Sequence, residues 1–512
     1  MPVAILAPYD KTGLIEFARK LSELGYDIYS TGGTHKHLSE AGVPVQAVSA
    51  LTGFPEVLDG RVKTLHPTVH AGILARRDLQ THMAQLSEHG IAPIDIVCAN
   101  LYPFRETIAR PDVTLEDALE NIDIGGPTMI RAAAKNHPSV LVLVDPTDYD
   151  EALGQLASKA VPDDYRKRLA AKAFQHVAAY DTMIARYLRA PDAGFPDELT
   201  IGLDKLADTR YGENPHQQGA VYRDPAPGAP RGVVAAEQLH GLAMSYLNYF
   251  DADATWRCAI EFDEPTVVIV KHATPCGIAS HEDVAVAYQR AYDSDPISPF
   301  GGIIAVNRPV TWDMTEAMKG KRYDIIIAPG YEERALERLR KRQDLRILHA
   351  DLGTGNMEHG LEFRSLLGGA ILQTADTMRG GDLELRAVTK RAPTDSEAAE
   401  LRFAWTCAKH VRSNAVVIAK DRATVGIGCG QPNRLWATQH AIEHAGVRIT
   451  GSVLASDAFF PFARGDAVED ACRAGVTAIV QPGGGARDEE AIEVCDSYEV
   501  AMVFTGTRGF RH

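Results

Sequence analysis

The segment PVAILAPYDKTGLIEFARKLSELGYDIYSTGGTHKHL, residues 2–38, decides the fold class. An apolar strand over 2–7 is followed by apolar residues at helical spacing over 14–24, and a second apolar strand lies over 26–29. A third strand over 43–48 completes a βαβαβ order. Because strands joined by single helices pair in parallel, the sequence predicts an α/β fold with a helix-covered parallel sheet.

The rest of the chain keeps alternating strands and helices, with two breaks. We predict further strands over 94–99, 140–144, 266–270, 302–306 and 324–328, helices from about 127 and over 283–292, and a hairpin of 415–419 with 424–427. The stretch 190–205 is rich in proline and glycine, which places a domain boundary there and gives a first domain of 1–198 and a second region of 199–512. A weaker break near 378–396 divides that second region, and no sequence repeat relates its parts.

Composition and charge exclude several classes of protein. Among 512 residues, 45% are hydrophobic and 24% charged, which is ordinary globular usage. No apolar run approaches the ~20 residues of a membrane helix, and the N-terminus lacks a signal-peptide pattern. The net charge of −15 argues against a nucleic-acid binder, although it allows a local basic pocket. Seven cysteines without a CxxC pair predict a reduced, cytoplasmic setting.

Two segments of the first half are candidate anion sites. Ser30-Thr31-Gly32-Gly33-Thr34 joins a strand to a helix, where backbone N–H groups can bind phosphate, although any such turn can use glycine. In GRVKTLHP, 60–67, an extended backbone would point Arg61 and Lys63 the same way, toward an anion or toward solvent. His66 and His70 are four apart, but Pro67 and the lack of an HExxH glutamate disfavour a metal.

A third candidate combines NLYPF, 100–104, with IDIGG, 122–126, and the helix that follows. Tyr102, Asp123 and Lys135 could form a proton-handling set. The alternative is a capped helix whose surface carries the cations Arg131 and Lys135, one turn apart on one face. The sequence alone leaves both interpretations open.

The second half offers KHATPCG, 271–277, directly after an apolar strand. Lys271 and His272 then lie at a strand end, where open α/β sheets place ligands, and histidine exchanges protons near pH 7. A polar strand end facing water is the alternative. Cys276 lacks the second cysteine and the HxE of a zinc deaminase, so we predict no zinc.

Two glycine-rich or aromatic segments complete the candidates. GIGCGQPNR, 426–434, allows close approach of backbone to a ligand beside the Arg434 guanidinium. In SDAFFPF, 456–462, Phe459 could stack on a flat heterocycle, although aromatic runs usually belong to the core.

Together these segments resemble, in order and over essentially the whole chain, the bifunctional purine biosynthesis family that joins 5-aminoimidazole-4-carboxamide ribonucleotide (AICAR) formyltransferase to inosine monophosphate (IMP) cyclohydrolase. The motifs that carry the resemblance are DKTGL at 10–14, GRVKTLHP at 60–67, NLYPF at 100–104, IDIGG at 122–126, RAAAKNH at 131–137, RYGENPHQ at 210–217, KHATPCG at 271–277, SPFGGIIA at 298–305, IIAPGYEE at 326–333, SNAV at 413–416 and SDAFFPF at 456–462.

The resemblance implies a fold and two activities. The first domain would be similar to methylglyoxal synthase, and the second region would comprise two cytidine-deaminase-like α/β domains without zinc. The second region would transfer formyl from 10-formyltetrahydrofolate to the 5-amino group of AICAR, and the first would close formyl-AICAR (FAICAR) to IMP. It further implies a cytoplasmic homodimer with formyltransferase sites at the interface, no metal or redox cofactor, and no nucleic-acid or membrane partner.

The resemblance also carries residue roles onto matching positions. The implied catalytic residues are Lys271, His272 and Asn414 for formyl transfer and Lys63, Tyr102, Asp123 and Lys135 for ring closure. The implied nucleotide-binding residues are Lys11, Thr31, Gly32, Gly33, Thr34, Arg61, Thr64, Gly125 and Gly126 in the first domain and Arg210, Tyr211, Phe300, Gly301, Asp324, Arg434, Phe459 and Arg508 in the second region.

The first loop departs from the family pattern. Ala7-Pro8-Tyr9 stands where the family usually has serines, which removes two hydroxyl donors from the expected phosphate site. A second interpretation is therefore an active formyltransferase whose first domain only binds nucleotide, as a sensor. Thr274 and Leu247 also replace residues that are usually asparagine.

Overall fold

The computed structural model describes residues 1–58, 61–158, 160–190, 194–228, 232–352 and 360–512. They form two compact units, Met1–Asp204 with Asp224–Gly228, and Lys205–Arg223 with Ala229–His512. Gly60 of the GRVKTLHP motif and residues 191–193 of the predicted break lie outside the described residues. The boundary at residue 198 stays a prediction.

The first unit is built on a parallel five-stranded sheet, as predicted. Its strands are β1 (Val3–Leu6), β2 (Asp27–Ser30), β3 (Gln46–Ala47), β4 (Ile94–Cys98) and β5 (Leu141–Leu143), in the order β3-β2-β1-β4-β5. Every pair is parallel. All four residues of the central strand β1 are buried, because helices cover both faces of the sheet.

Ten helices of the first unit surround this sheet within the described ranges. They are α1 (Leu14–Glu23), α2 (Gly32–Glu40), α3 (Val48–Thr52), α4 (Pro67–Leu74), α5 (Gln80–Glu88), α6 (Phe104–Ile108), α7 (Leu115–Glu120), α8 (Gly125–Lys135), α9 (Tyr149–Ala157) and α10 (Asp163–Leu188). The predicted strand over 43–48 is wrong in extent. Pro44 has no N–H for the ladder, so the edge strand β3 keeps only two residues before α3 begins at Val48.

The second unit contains the remaining elements. Its strands are β6 (Asp204–Thr209), β7 (Gly219–Arg223), β8 (Glu237–His240), β9 (Thr266–Lys271), β10 (Thr274–Ser280), β11 (Gly302–Val306), β12 (Tyr323–Ala328), β13 (Arg346–His349), β14 (Leu361–Leu366), β15 (Gly369–Thr374), β16 (Arg386–Ala387), β17 (Val416–Lys420), β18 (Ala423–Gly428), β19 (Val453–Ser456), β20 (Ala478–Gln481) and β21 (Ala501–Phe504). Its helices are α11 (Tyr246–Ala259), α12 (Val284–Ser294), α13 (Trp312–Ala317), α14 (Glu333–Leu339), α15 (Asp395–Lys409), α16 (Arg434–Ala445), α17 (Ala467–Ala474) and α18 (Asp488–Ser497).

A mixed twelve-stranded sheet organises the second unit, in the order β16-β21-β20-β19-β17-β18-β10-β9-β11-β12-β13-β8. Its two halves repeat one design. Each half begins with an antiparallel hairpin, β9–β10 or β17–β18. Three helix-strand pairs follow, and their three strands are parallel to one another. The halves meet where Ala279 of β10 pairs with Ala423 of β18. The structure therefore contains a repeat that the sequence does not reveal.

The two hairpins share a tight turn and close helix packing. His272 and Ala273 turn with φ of 53° and 55°, and Asp421 and Arg422 turn with φ of 52° and 60°. Such paired left-handed residues form the two-residue turns that suit a hairpin. A Cβ atom on Gly277 would lie 1.9 Å from the carbonyl oxygen of Ala291, so only glycine lets α12 pack this closely on β10.

The fold class is confirmed, with a parallel-sheet unit followed by a large mixed α/β sheet. None of the helices in the described part of the chain is long and apolar enough to cross a membrane. Within the same ranges, no three His, Cys, Asp or Glu side chains are grouped so that they could hold a metal ion.

Candidate active sites

The first cluster of predicted residues lies around Lys63 in the first unit. Lys63 Nζ lies 3.4 Å from Tyr102 Oη. A Cβ atom on Gly32 would lie 3.9 Å from the same Nζ, so the start of α2 faces this amine. Thr31 is the buried N-cap of α2, and within the described residues the N–H groups of Gly32 and Gly33 have no partner, so they can bind an anion. The structure thus brings a phosphate-type loop, an amine and a phenol together.

Asp123 lies beside this cluster, at the start of α8. Its Oδ1 accepts a hydrogen bond from the N–H of Gly126, 2.9 Å away. Burial raises the pKa of the Asp123 carboxyl above its ordinary value, and the Gly126 N–H and the charge of Lys63 offset part of that rise. A carboxyl with a raised pKa is suited to exchange a proton with a substrate.

The two residues at the start of α8 must be glycine because other side chains lie very close to their Cα atoms. A Cβ atom on Gly125 would lie 2.7 Å from Thr64 Oγ1, and one on Gly126 would lie 2.5 Å from Asp123 Oδ2. Real Cβ atoms do not approach so closely, so the glycines allow Thr64 and Asp123 to lie against the helix start.

The first loop is held by a residue that the sequence analysis missed. Asn100 Oδ1 accepts from the N–H groups of Tyr9, at 2.6 Å, and Asp10, at 2.9 Å. The Tyr9 ring lies edge-on to Tyr102, with centroids 6.2 Å apart, and Lys11 Nζ lies 5.7 Å from the Tyr9 centroid. The loop that lacks the family's serines therefore adds an aromatic wall. Asn100 begins the NLYPF motif, but the sequence analysis gave it no role, because its partners are about ninety residues away.

Arg61 and Lys63 do not point the same way, contrary to the sequence-based expectation. Arg61 forms an ion pair with Glu120 of α7, whereas Lys63 faces Tyr102. The expectation assumed an extended strand, but Val62 forms only an isolated bridge with Val57. Only Lys63 is directed to the cluster.

Lys135 is not brought together with Lys63. It ends α8, whose first residue is Gly125. At 1.5 Å of rise per residue, about 15 Å of helix separates these ends. Lys135 lines a different cavity with His70, Arg131 and other residues.

Lys271 is the centre of a cluster in the second unit. Lys271 Nζ donates a hydrogen bond to the carbonyl oxygen of Phe300, 2.6 Å away. A Cβ atom on Gly301 would lie 3.3 Å from Lys271 Nζ and 3.7 Å from Asp324 Oδ1. Four predicted residues therefore converge, and Gly301 keeps space open beside the amine.

Asp251 of α11, to which the sequence analysis gave no role, is buried close to the His272 turn. Burial raises the pKa of the Asp251 carboxyl, while the charge of His272 and the N–H groups of His272 and Ala273 lower it. The aspartate thus places a negative charge beside the turn that presents His272. It lies on another element, twenty-one residues upstream, so no motif marked it.

Arg210 and Tyr211 lie near Asp324. The Arg210 guanidinium carbon is 5.4 Å from the Tyr211 ring centroid. Burial lowers the pKa of Arg346, and the charges of Asp324 and Arg210 act on it in opposite directions. The predicted residues Arg210 and Asp324 therefore both lie near Arg346. Arg346 Nη2 donates a hydrogen bond to the Ala243 carbonyl oxygen, 3.1 Å away.

A second cluster of the same unit is built on buried Arg434. Its Nη1 lies 2.5 Å from Asp457 Oδ1 and 2.8 Å from Ser456 Oγ. Its Nη2 donates to Asn414 Oδ1 at 2.7 Å, and Asn414 Nδ2 donates to the Gln431 carbonyl oxygen at 2.7 Å. The guanidinium therefore fixes the amide of Asn414.

The C-terminal residues close this second cluster. Ser413 and Arg511 exchange two hydrogen bonds, from Ser413 N at 2.8 Å and from Arg511 N at 3.1 Å. The N–H of Gly509 donates to the Asp457 carbonyl oxygen at 2.9 Å. Arg508 lies over the Phe510 ring at 4.4 Å, and its side chain is exposed.

No direct hydrogen bond joins the Lys271 and Arg434 clusters within the described residues. Cys429 Sγ, just after β18, lies 3.8 Å from Thr274 Oγ1, at the start of β10, so the strands beside the two clusters are in contact. Among the described residues, no hydrogen bond links Lys271 or His272 to Asn414 or Arg434. Phe300 and Phe459, which the sequence analysis assigned to the nucleotide, are 68% and 40% exposed.

Comparisons with known proteins cover both units. A model described as the AICARFT/IMPCHase bienzyme matches residues 133–444, and a model of the MGS-like domain matches residues 13–128. The chain is 50% identical to the bifunctional purine biosynthesis protein PurH of Halalkalibacterium halodurans over 99% of both chains. The protein of the same name from Bacillus cereus is also 50% identical over 99% of both chains. A crystal structure of ForH is 39% identical, with a TM-score of 0.34, and covers 37% of this chain and 99% of its own.

Identity of this extent, together with two family models in the expected order, confirms the resemblance seen in the motifs. The chain belongs to the bifunctional purine biosynthesis family that joins AICAR formyltransferase to IMP cyclohydrolase.

Proposed function

We propose that the two activities of this bifunctional enzyme lie in separate units, with IMP cyclohydrolase in the first and AICAR formyltransferase in the second. The enzyme formylates AICAR to FAICAR and closes FAICAR to IMP in purine biosynthesis. The observation that carries this function is 50% identity over 99% of both chains to a bifunctional relative. The division is supported by one cluster of acid-base residues in the first unit and two in the second.

Ring closure needs a nucleophile, an oxyanion site and a leaving water. The carboxamide nitrogen of FAICAR attacks the formyl carbon, and the formyl oxygen gains negative charge. Asp123 accepts one proton of the carboxamide nitrogen, while Lys63 and Tyr102 donate to the oxygen and help to protonate it. The C–O bond then breaks and water leaves, as the nitrogen that carried the formyl group loses its proton and forms the C=N bond of the ring. Thr31, Gly32, Gly33, Thr34, Lys11 and Thr64 bind the phosphate and ribose in this proposal.

Formyl transfer needs help because the attacking amine is conjugated with the ring and the carboxamide. That amine attacks the formyl carbon, the bond from this carbon to N10 of the folate breaks, and N10 gains a proton. His272 accepts the proton of the amine, and Lys271 stabilises the charge on the formyl oxygen. Asn414, held by Arg434, orients the reacting groups.

We further propose that a homodimer completes the formyltransferase site. The Lys271 cluster and the Arg434 cluster each carry exposed residues, and no hydrogen bond joins them within one described chain. A symmetric pair of chains would place the Lys271 cluster of one copy against the Arg508 and Phe459 surface of the other. The formyl donor is a reduced folate, and we expect no metal and a cytoplasmic location.

Complementation between two inactive variants tests the shared site. Lys271→Ala changes a half-buried side chain and Arg508→Ala an exposed one, and each variant should lose formyl transfer. After subunit exchange of an equal mixture, half of the dimers are mixed and hold one intact site, so about a quarter of wild-type activity should return. A mixture as inactive as its components would contradict a shared site, and the oligomeric state should be checked by sedimentation.

The nucleotide-sensor alternative is favoured by one observation, the Ala7-Pro8-Tyr9 loop, which lacks the serine hydroxyls usual in the family. Absorbance-monitored turnover of AICAR with 10-formyltetrahydrofolate, followed by turnover of added FAICAR, separates the alternatives. IMP formation from FAICAR supports the cyclohydrolase. Binding of FAICAR without IMP formation would assign the first unit to sensing. Metal analysis of the active enzyme tests the expectation of no metal.

A further inference from the structure

The two halves of the second unit carry identical residues around their hairpins once the structure aligns them. Helices α11 and α15 each precede the hairpin of their half, and one constant separation in the chain relates equivalent residues. The identical pairs are Trp256 with Trp405, Cys258 with Cys407, Lys271 with Lys420 and Gly277 with Gly426. Residues that differ at equivalent positions therefore show where the half that carries His272 departs from the shared framework.

The lysine of each hairpin belongs to this shared framework. Lys271 Nζ donates to the Phe300 carbonyl oxygen at 2.6 Å, and Lys420 Nζ donates to the Thr450 carbonyl oxygen at 2.7 Å. The two turns also have matching left-handed backbone angles. What distinguishes the first turn is the imidazole of His272, since the second turn, 420–422, contains no histidine.

A buried acid lies close to each turn, on the helix that precedes it. In the second half, Glu400 Oε1 accepts a hydrogen bond from the Arg422 N–H, 2.8 Å away. Asp251 of α11 is the equivalent residue of the first half, by the same separation in the chain. One oxygen of each acid, Glu400 Oε2 and Asp251 Oδ1, is buried without a hydrogen-bond partner among the described residues. Each acid is therefore desolvated and keeps an unused acceptor.

The two acids face different cations. Burial raises the pKa of Glu400, and the N–H group and the charge of Arg422 lower it. Burial also raises the pKa of Asp251, and the charges that lower it are those of His272 and Lys271, both from the end of β9. A guanidinium is always charged, whereas an imidazole is charged only after it has accepted a proton. Asp251 therefore lies beside a group whose positive charge develops during the proposed reaction.

We propose that Asp251 is a positioning residue for formyl transfer, and that its carboxylate stabilises the imidazolium that forms when His272 takes the proton of the AICAR amine. This inference rests on the proposed role of His272. A buried carboxylate beside an imidazole orients the ring and favours its charged form. As the proton moves to His272, the amine nitrogen bonds to the formyl carbon, the bond from that carbon to N10 of the folate breaks, and N10 gains a proton. Asp251 stays ionised throughout and acts through His272.

Asp251→Asn tests this role, because asparagine keeps the size of the side chain and an acceptor oxygen for the turn and removes the charge. In the full-length enzyme, kcat for formyl transfer should fall at least about tenfold, and the KM of AICAR should change by less than about threefold. The acid limb of kcat/KM should move to lower pH, since no carboxylate then favours the protonated imidazole. A purely structural role would leave the position of this limb unchanged.

The matched control is Glu400→Gln, which removes the equivalent charge beside the turn that lacks an imidazole. It should keep the wild-type rate and pH profile of formyl transfer. Thermal unfolding and cyclisation of added FAICAR establish that both variants are folded. Equal losses of formyl transfer in Glu400→Gln and Asp251→Asn, or an acid limb that does not move in Asp251→Asn, would overturn the proposal.

A double-mutant cycle with His272→Ala separates this inference from the proposed function. If Asp251 acts through His272, Asp251→Asn should lower the residual formyl-transfer rate of His272→Ala by less than about twofold. The full loss in both backgrounds would overturn the positioning role and leave His272 as the proton acceptor. Wild-type formyl transfer by His272→Ala would instead refute the proposed role of His272, and this inference with it.

Discussion

Arg434 and Asp457 form a buried ion pair in which Nη1 lies 2.5 Å from Oδ1. Their side chains are 4% and 0% exposed. The other atoms of the pair are also bound, since Asp457 Oδ2 accepts from Ser413 Oγ and Arg434 Nη2 donates to Asn414. Removing one partner would leave a desolvated charge and free the amide that we assign to formyl transfer.

Asp457→Ala should lower the free energy of unfolding of the second unit by about 3–5 kcal/mol, because it leaves Arg434 buried and unpaired. Urea unfolding followed by tryptophan fluorescence measures this change. The exposed pair of Arg464 and Glu493, with side chains 62% and 67% exposed, provides the control. Glu493→Ala should change stability by less than about 1 kcal/mol. Equal changes in the free energy of unfolding for the two variants would show that burial of the Arg434–Asp457 pair does not increase its contribution to stability.

His272→Ala should lower formyl transfer by about 10²–10⁴-fold and leave cyclisation of added FAICAR near wild type, because the proton acceptor lies in the second unit. The structural repeat supplies a matched control. Asp421 occupies the equivalent turn with φ of 52°, close to the 53° of His272, so Asp421→Ala carries the same backbone change without the imidazole. Loss of cyclisation in His272→Ala would show that the two sites depend on each other.

The raised pKa of Asp123 sets the pH dependence of ring closure. A base must be deprotonated, so cyclisation should fall as the pH drops through the pKa of Asp123. Because burial places this pKa above that of an ordinary aspartate, the acid limb of kcat/KM should lie at higher pH than an exposed carboxyl would give. Asp123→Asn should lose most activity, and Tyr102→Phe should keep the acid limb while lowering the rate. If the residual cyclisation activity of Asp123→Asn still fell at low pH in the same way, the titrating group would be a residue other than Asp123.

The sequence predicted features that depend on neighbouring residues and failed to predict contacts between residues far apart in the chain. Local periodicity located β1, α1 and β2 within about two residues, and the apolar strand before Lys271 located the end of β9. Contacts between distant segments carry no local signal. Asn100 holds the Tyr9 N–H from ninety-one residues away, and Asp251 lies beside His272 from another element, so neither role was predicted. The repeat was missed because Lys271-His272-Ala273 and Lys420-Asp421-Arg422 share a turn geometry and only one residue.

Gly126→Ala should reduce cyclisation without unfolding the first unit. The added methyl would lie 2.5 Å from Asp123 Oδ2, so the carboxyl must move away from the position in which it accepts the amide proton. A displacement of this size at a reacting group typically costs about 10²-fold in rate. Gly154→Ala in α9 is the control, since its methyl would meet no atom within 4 Å and alanine should stabilise the helix by about 0.5–1 kcal/mol. FAICAR turnover and thermal unfolding of both variants measure the two effects. Wild-type cyclisation by Gly126→Ala would mean that the position of the Asp123 carboxyl does not control ring closure.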